Sequence, residues 1–381
     1  MIKIISYKIL IILMIVPNLG TAQSYLNSKR TSLYYLHALC DTTNNSKIIP
    51  YINHWIKFLY TEDSFERKKM WNPQDINKWG DLEYALFYQS LFQYPQKSLL
   101  NYFKPYILSV YFEDTTCHIV TAFWNFNKPP SDSLIYQNSN PFAITEVAIY
   151  NQNNTLYLTN LFNKRTSFWK KESFNNIHYI YEPSLNLNTV DAMRSYEFIG
   201  RLNSFFGLNS DTITYVVCKT PQSLGYLLGF NFFYAGFTTG RTFPEAKILC
   251  SGNSLFYYPH ELTHVTLDAH FKWGHFLSEA FATYFGGSGK DNFDQLLIEF
   301  KRKYPFITET TFNDIFNFPN STDAYVLSAI MIDILLSKYG KQFLDKICLE
   351  KTENVEDFLN QTSSYLNYNK IKFINEINKI K

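Results

Sequence analysis

The chain has 381 residues, 46% of them hydrophobic and 18% aromatic, with a formal net charge of +2. This length is typical of two domains, and the apolar content excludes a disordered protein because enough surface is available to form cores. Two of the positive charges, Lys3 and Lys8, lie near the N-terminus, so the remainder of the chain is neutral. A neutral chain gives no electrostatic reason to expect nucleic acid or an anionic membrane as a partner.

The first 22 residues have the pattern of a secretory signal. Lys3 and Lys8 precede an apolar run at residues 9–16, and the small residues Gly20, Thr21 and Ala22 follow it. This run is too short to span a bilayer as a stable anchor. We therefore predict cleavage after residue 22, export to the periplasm, cell surface or medium, and no stable membrane insertion afterwards. The alternative is an N-terminal anchor that is not cleaved.

Helical patterns alternate with polar breaks up to about residue 100, and strand patterns follow. The helical patterns include residues 52–59 and 82–92, and the strand patterns are residues 107–112, 118–124, 144–150 and 155–158. Polar turn residues separate the two strands of each pair, which indicates two antiparallel hairpins. Helices followed by hairpins predict an α+β accessory domain over residues 23–170, without the pattern of a catalytic site.

The polar stretch at residues 163–176 is the predicted domain boundary. Beyond it, strand patterns occur at residues 178–181, 212–218 and 246–250, with a helical pattern at residues 190–206. From residue 258 onwards the chain has helical patterns, with breaks at residues 286–289 and near Pro319. We predict a second domain over residues 171–381, with a small mixed sheet followed by a helical lobe. The fold class of the whole chain is therefore α+β.

The five cysteines form no C-x-x-C pair, which argues against a metal knuckle or a redox motif. Export to an oxidising compartment permits disulfides, and the odd number leaves at least one thiol unpaired. Cys218 and Cys250 each end an apolar run in the same half of the chain. They are the expected disulfide pair, and we expect no catalytic cysteine.

His260, Glu261 and His264 form an H-E-x-x-H motif. On a helix, two histidines four residues apart lie on one face, so both imidazoles can bind a single Zn²⁺ while the glutamate acts as a base beside it. Pro259 suits the first turn of such a helix, and Leu262 gives the helix a buried side. The motif therefore predicts a zinc hydrolase site on a partly buried helix.

A catalytic zinc ion needs a third protein ligand, and two residues are candidates. His270 has the spacing of the metzincin signature, but an unbroken helix would place it about 15 Å along the axis from His260. Metzincins turn the chain with a glycine where this sequence has Leu267. Glu279 follows a break at Gly274 and lies in a helical pattern with an apolar stripe. These observations favour Glu279 over His270.

At these residues the chain resembles the gluzincin clan of zinc metallopeptidases, especially exported bacterial peptidase-like domains. The matching stretches are residues 259–264, 277–287 and 324–340, so the resemblance covers about residues 175–381. It implies a zincin-like fold for the second domain. The chain lacks the G-x-M-E-N segment of the clan's aminopeptidases, which argues against aminopeptidase activity, and it has Ala280 where those enzymes have glycine. The resemblance also implies a tyrosine that stabilises the oxyanion, and Tyr325 has that position, with Tyr258 and Tyr284 as weaker alternatives.

The predicted function is zinc-dependent hydrolysis of a peptide or protein substrate. His260, His264 and Glu279 would bind Zn²⁺, Glu261 would be the general base, and Tyr325 would donate a hydrogen bond to the oxyanion. Residues 246–250 would be the edge strand that pairs with an extended substrate. The alternatives are a catalytically silent scaffold or binding protein with this fold, and a zinc amidohydrolase that acts on a non-protein amide.

Overall fold

The computed structural model describes residues 35–36, 46–81, 84–87, 91, 96–124, 141–271, 273–344 and 351–380. The predicted signal segment, Cys40 and Cys348 lie outside these residues. So does much of the predicted helix at residues 82–92, where the described residues 84–87 form turns and bends. No helix among the described residues combines the length and the hydropathy that a membrane span requires.

In the first part of the chain that the structure describes, four helices precede a run of four strands. In chain order they are β1 (Tyr35–Leu36), α1 (Ile49–Tyr60), α2 (Ser64–Lys69), α3 (Pro73–Trp79), α4 (Gln96–Tyr102), β2 (Lys104–Glu113), β3 (Thr116–Trp124), β4 (Ala143–Gln152), β5 (Thr155–Thr159) and α5 (Phe162–Arg165).

Among the described residues, the remaining strands all come before the H-E-x-x-H motif, and helices follow it. The elements are β6 (Lys170–Phe174), β7 (Ile177–Tyr181), α6 (Thr189–Phe206), β8 (Ile213–Val217), α7 (Pro221–Leu227), β9 (Phe230–Phe233), β10 (Gly240–Phe243), β11 (Ile248–Ser251), α8 (Pro259–Phe271), α9 (His275–Gly286), α10 (Phe293–Lys303), α11 (Glu309–Phe316), α12 (Thr322–Tyr339), a 3-10 helix (Gly340–Phe343), α13 (Val355–Leu366) and α14 (Lys370–Ile377). The two sheets and the helical C-terminal part confirm the predicted α+β class.

The chain forms two compact units. Unit 1 comprises the residues up to Ser167 together with Gly225–Phe237, and unit 2 comprises Phe168–Leu224 and Thr238–Lys381. Residues 225–237 thus return to unit 1 from within the second half of the chain, because β9 pairs with β4. The division into domains of residues 23–170 and 171–381 stays a prediction.

The sheet of unit 1 has the strand order β1-β2-β3-β4-β5 among the described residues. Both predicted hairpins are confirmed: β2 pairs with β3, and β4 pairs with β5. Asn153 and Asn154, in the turn of the second hairpin, have positive φ angles of 53° and 64°. Asparagine tolerates this conformation better than most residues, so its presence at both positions suits the turn.

A buried ionic network lies on the sheet of unit 1. The carboxylate of Glu146 accepts hydrogen bonds from His118 Nδ1 at 3.0 Å, Tyr111 Oη at 2.7 Å and Arg165 Nη2 at 2.7 Å. Lys164 Nζ donates to the other ring nitrogen of His118, Nε2, at 3.1 Å. His118 is 1% exposed, so its ring is satisfied by protein groups rather than by solvent.

The sheet of unit 2 is mixed, as predicted, with the order β10-β11-β8-β7-β6. Strands β11, β8 and β7 are parallel, and the outer strands β10 and β6 are antiparallel to their neighbours. The expectation that residues 246–250 form the edge strand is wrong, since β11 lies between β10 and β8. The edge is β10, whose sequence Gly-Arg-Thr-Phe has no repeated apolar alternation. Strand β6 lies within residues 163–176, the polar stretch that predicts the domain boundary. Four of its five side chains are exposed, so its sequence is polar although it forms a strand.

Helix α8 is buried on two sides. Leu262 and Val265 pack in one core with Tyr179, Tyr215 and Leu249 from the sheet of unit 2. Farther along the helix, Leu267 packs in a second core formed by the helical lobe. Burial of a side chain of this size stabilises the folded state by about 1.5–3 kcal/mol, so the helix that carries the motif is firmly held in place.

The expected disulfide between Cys218 and Cys250 is not formed, because Cys218 has a buried free thiol. Cys250 pairs with Val216 in the parallel register of β11 and β8, and Cys218 lies two residues beyond Val216. Two residues of rise and one strand spacing separate the two Cα atoms by about 8 Å, above the roughly 7 Å that a disulfide can bridge. Burial raises the pKa of the Cys218 thiol, which makes it unreactive.

Candidate metal centre

The first two turns of α8 present the two histidines of the motif. Pro259 is the first residue of the helix, and the carbonyl of Tyr258 accepts a hydrogen bond from the Leu262 N–H at 2.9 Å. Because the helix is regular, His260 and His264 lie on one face, with their Nε2 atoms 3.2 Å apart. The two imidazoles therefore direct the same nitrogen toward a common point.

Helix α9 supplies the third side chain of the group. Its residue Glu279 places Oε2 at 3.4 Å from His260 Nε2 and Oε1 at 3.7 Å from His264 Nε2. One ligand atom from each of the three residues lies within 4.8 Å of the others. The helices approach closely where α9 ends, because a Cβ atom added to Gly286 would lie 2.5 Å from the His260 nitrogen. A larger residue at position 286 would push the two helices apart.

The opposite ring nitrogen of each histidine is held by the protein. His260 Nδ1 donates to the carbonyl of Gly287 at 2.7 Å, and His264 Nδ1 donates to Asp268 Oδ2 at 2.9 Å. These acceptors hold each ring by its Nδ1 atom, so that the two Nε2 atoms face Glu279. In metal sites, a histidine ligand is oriented in the same manner, by a hydrogen bond from its second ring nitrogen to a carbonyl or carboxylate oxygen.

Asp268 is itself fixed by two donors that the sequence reasoning missed. Trp273 Nε1 donates to Oδ1 at 3.1 Å, and Ser278 Oγ donates to Oδ2 at 2.8 Å. The only signal in the sequence is the position of Asp268, four residues after His264 on the same helix face. The resulting chain of contacts joins the loop before α9 to the second histidine of the motif.

The electrostatics of the group favour a cation. Burial alone would lower the pKa of His264, but the carboxylates of Asp268, Glu279 and Glu261 outweigh it and raise this pKa above its usual range. Burial would likewise raise the pKa of Glu279, but the hydrogen bond from His260 and the charge of His264 lower it to about 2. Two imidazole nitrogens and one carboxylate, surrounded by acidic groups, are the chemistry of a zinc site with three protein ligands. The residues therefore fit the metal.

The Glu261 side chain contacts β10. Its Oε2 accepts a hydrogen bond from Thr242 Oγ1 at 2.5 Å. A Cβ atom added to Gly240 would lie only 2.3 Å from Oε1, so this glycine makes room for the carboxylate. The Glu261 residue is 9% exposed, and its charge acts on His264. The structure thus brings the predicted base beside the three candidate ligands and into contact with β10, a strand that the sequence did not predict.

Tyr325 lies in the first turn of α12, close enough to Glu279 for its charge to act on the phenol. Burial, together with the charge of Glu279, raises its pKa to about 12. Its ring is 6.4 Å from the ring of His275, whose Nδ1 is 3.9 Å from Glu279 Oε1. The phenol therefore remains protonated at neutral pH and can donate a hydrogen bond near the candidate ligands.

The two alternative tyrosines have other partners. Tyr258 Oη shares a hydrogen bond with Thr239 Oγ1 at 3.0 Å, although its pKa, raised by burial, also responds to the nearby carboxylates of the group. Burial, Asp333 and Asp294 raise the pKa of Tyr284 to about 12, and Tyr284 packs against Phe293 at 5.1 Å. Tyr284 thus interacts with α10 and α12 residues rather than with the three ligands.

His270 does not join the group. Helix α8 continues without a break past Leu267 to Phe271. Near its end, His270 Nε2 lies 3.3 Å from Asp211 Oδ2 and 3.3 Å from Lys247 Nζ. The metzincin spacing therefore coincides with a surface ion pair at the far end of the helix.

No protein-family model matches the chain, and a search of curated proteins finds no significant match.

Proposed function

We propose that this chain is a zinc-dependent metallopeptidase of the gluzincin type. The observation that carries the proposal is the convergence of His260 Nε2, His264 Nε2 and the Glu279 carboxylate within 4.8 Å, beside the carboxylate of Glu261. These three residues would hold Zn²⁺, which when bound supplies Lewis acidity that acidifies water and polarises a carbonyl group. Exported localisation, inferred from the N-terminal segment, belongs to the same proposal.

The remaining chemistry belongs to side chains of this chain. Glu261 takes a proton from the attacking water and delivers it to the leaving amine nitrogen. Tyr325 donates its phenolic hydrogen to the oxyanion that forms on the carbonyl oxygen. The raised pKa of Tyr325 supports this role because the donor stays protonated over the neutral pH range.

Strand β10 favours an extended peptide as the substrate. The Gly252 N–H donates to the carbonyl of Thr239 at 2.7 Å, and alternate residues face the neighbouring strand in an antiparallel ladder. The main-chain groups of Gly240 and Thr242 therefore face the outer edge, where β10 has no strand partner among the described residues. A peptide main chain can pair with such an edge, whereas a small non-protein amide has no repeating groups to do so.

The test compares Glu261→Gln with the wild type in cleavage of a mixed peptide library, with zinc measured in both proteins. We expect the variant to lose cleavage while it keeps zinc, because Glu261 is not a ligand. Glu299→Gln, on the exposed face of α10, is the matched control and should remain active. A chelator should abolish wild-type cleavage, and Zn²⁺ should restore it.

Each other outcome identifies a different function. Zinc binding without cleavage of any peptide would indicate the silent scaffold, and cleavage restricted to non-protein amides would indicate the amidohydrolase. Zinc loss in Glu261→Gln, or undiminished activity, would refute the role of Glu261.

A further inference from the structure

Strand β10 carries two residues that contact the candidate base. Gly240 and Thr242 alternate with Arg241 and Phe243, so they share one face of the strand. Thr242 pairs with Leu249, which packs in the same core as Leu262 of α8. The side chain of Thr242 therefore points toward α8, where it reaches Glu261.

The contact holds one oxygen of the Glu261 carboxylate, and Gly240 leaves space for the other. Thr242 Oγ1 donates to Oε2 at 2.5 Å, and the missing side chain of Gly240 leaves the space that Oε1 fills. Thr242 is the hydrogen-bond donor to this carboxylate among the described residues. A glutamate has three rotatable side-chain bonds, so one well-placed donor decides which rotamer it keeps.

We propose that Thr242 is the positioning residue for the general base, with Gly240 providing the space for the carboxylate; this inference rests on the proposed function. A general base must lie within hydrogen-bond distance of the proton that it takes, and a displacement of about 1 Å can cost about 100-fold in rate. The main chain of Thr242 faces the outer edge of β10, so the same residue aligns the substrate by its backbone and the base by its hydroxyl.

The kinetic test separates these two contributions. Thr242→Val removes the hydroxyl and keeps the shape and the main chain, so kcat should fall about 10- to 100-fold with KM and zinc content unchanged. Thr242→Ser restores the donor and should recover most of kcat. Gly240→Ala should lower kcat because its Cβ displaces the carboxylate. Thr214→Val, on β8, is the matched control and should retain wild-type kcat. Wild-type kcat in Thr242→Val, or an equal loss in Thr242→Ser, would overturn the proposal.

A second measurement does not depend on activity. Thermal unfolding of the metal-free protein is compared for Thr242→Val, Glu261→Ala and the double variant. If the hydroxyl holds the carboxylate, the double variant should lose less Tm than the sum of the two single losses. Additive losses would overturn the positioning role even in a chain that cleaves no peptide. A wild type without peptidase activity but with a coupled pair would refute only the proposed function.

Discussion

The part of the chain that the structure describes contains two buried groups of histidine and glutamate, one in each unit, and they differ in how the second ring nitrogen is used. In unit 1, His118 donates from Nδ1 to Glu146 and accepts at Nε2 from Lys164. In unit 2, His260 and His264 each use Nδ1 for an oxygen acceptor, and their Nε2 atoms face each other and Glu279.

The carboxylates differ in the same way. Glu146 is paired with the guanidinium of Arg165, whose Nη2 lies 2.7 Å away, whereas the ion pairs of Glu279 among the described residues are all with histidines. A histidine and a glutamate in contact are therefore insufficient evidence of a metal site. The informative feature is a pair of ring nitrogens, Nε2 of His260 and of His264, that face the same carboxylate, which no arginine or lysine among the described residues neutralises.

Removal of the glutamate carboxylate should weaken zinc binding in unit 2 and leave it unchanged in unit 1. Glu279→Ala should remove a direct ligand. It should therefore weaken zinc binding by more than the roughly 100-fold that follows loss of a residue that only hydrogen-bonds to a ligand. Glu146→Ala should leave zinc binding unchanged. Zinc content by mass spectrometry checks both variants, together with His270→Ala. Retained zinc in Glu279→Ala with loss in His270→Ala would reverse the assignment of the third ligand.

Glu146 should instead contribute to stability. Burial would raise its pKa, but hydrogen bonds from His118 and Tyr111 and the charge of Arg165 lower it from 4.5 to about 2. This shift corresponds to roughly 3 kcal/mol, so Glu146→Gln should lower the free energy of unfolding at pH 7 by about that amount. Urea unfolding at several pH values measures it.

The pH dependence gives the sign of this contribution. Because the folded pKa is lowered, the stabilisation is present above pH 4.5 and is lost as the pH falls toward 2. The difference between wild type and Glu146→Gln should therefore narrow over this interval. If the difference in the free energy of unfolding between wild type and Glu146→Gln stays constant from pH 7 to pH 2, packing rather than charge accounts for the effect.

Asp268→Asn should have a smaller effect on the metal group than loss of a ligand. The amide still accepts a hydrogen bond from His264 but lacks the charge that supports the imidazole, so zinc affinity should fall about 10- to 100-fold. Asp314→Asn, on the exposed side of α11, is the matched control. Competition with a chromogenic chelator measures the affinity, and an unchanged value would assign Asp268 to helix packing alone.

The smallest effect is expected at the exposed end of the unit 1 network. The Lys164 side chain is 44% exposed, so Lys164→Gln should change Tm by about 2 °C or less. The substitution replaces the ammonium donor to His118 Nε2 with an uncharged amide, but Arg165 remains beside Glu146 and opposes a cation. Zinc content should therefore not rise, and an additional zinc ion per chain would contradict the distinction between the two groups.

The sequence predicts the parts of the site that depend on local pattern. The position of α8, the break before α9 and the placement of Glu279 follow from helical periodicity and from Gly274. Strand β10 could not be predicted because it is short, lies at an edge and contains Arg241 and Thr242 in place of an apolar alternation. Asp268 was missed because an acidic residue four positions after a histidine is common on exposed helices.

Long-range pairing limits what the sequence reveals elsewhere. The pairing of Cys218 with Cys250 was wrong because proximity along parallel strands depends on register, which two apolar runs do not specify. The return of residues 225–237 to unit 1 depends on β9 pairing with β4, two segments that are distant in the chain. No local pattern marks such a partner.

The return of residues 225–237 to unit 1 also affects how the two units can recombine during evolution. Because β9 comes after β8 and before β10, a single genetic crossover near residue 168 would separate β9 from the strand with which it pairs. Exchange of unit 1 between relatives would require three breakpoints, because its second segment, Gly225–Phe237, would have to move together with the first. The two units are therefore expected to share one evolutionary history, passed on together rather than shuffled as modules.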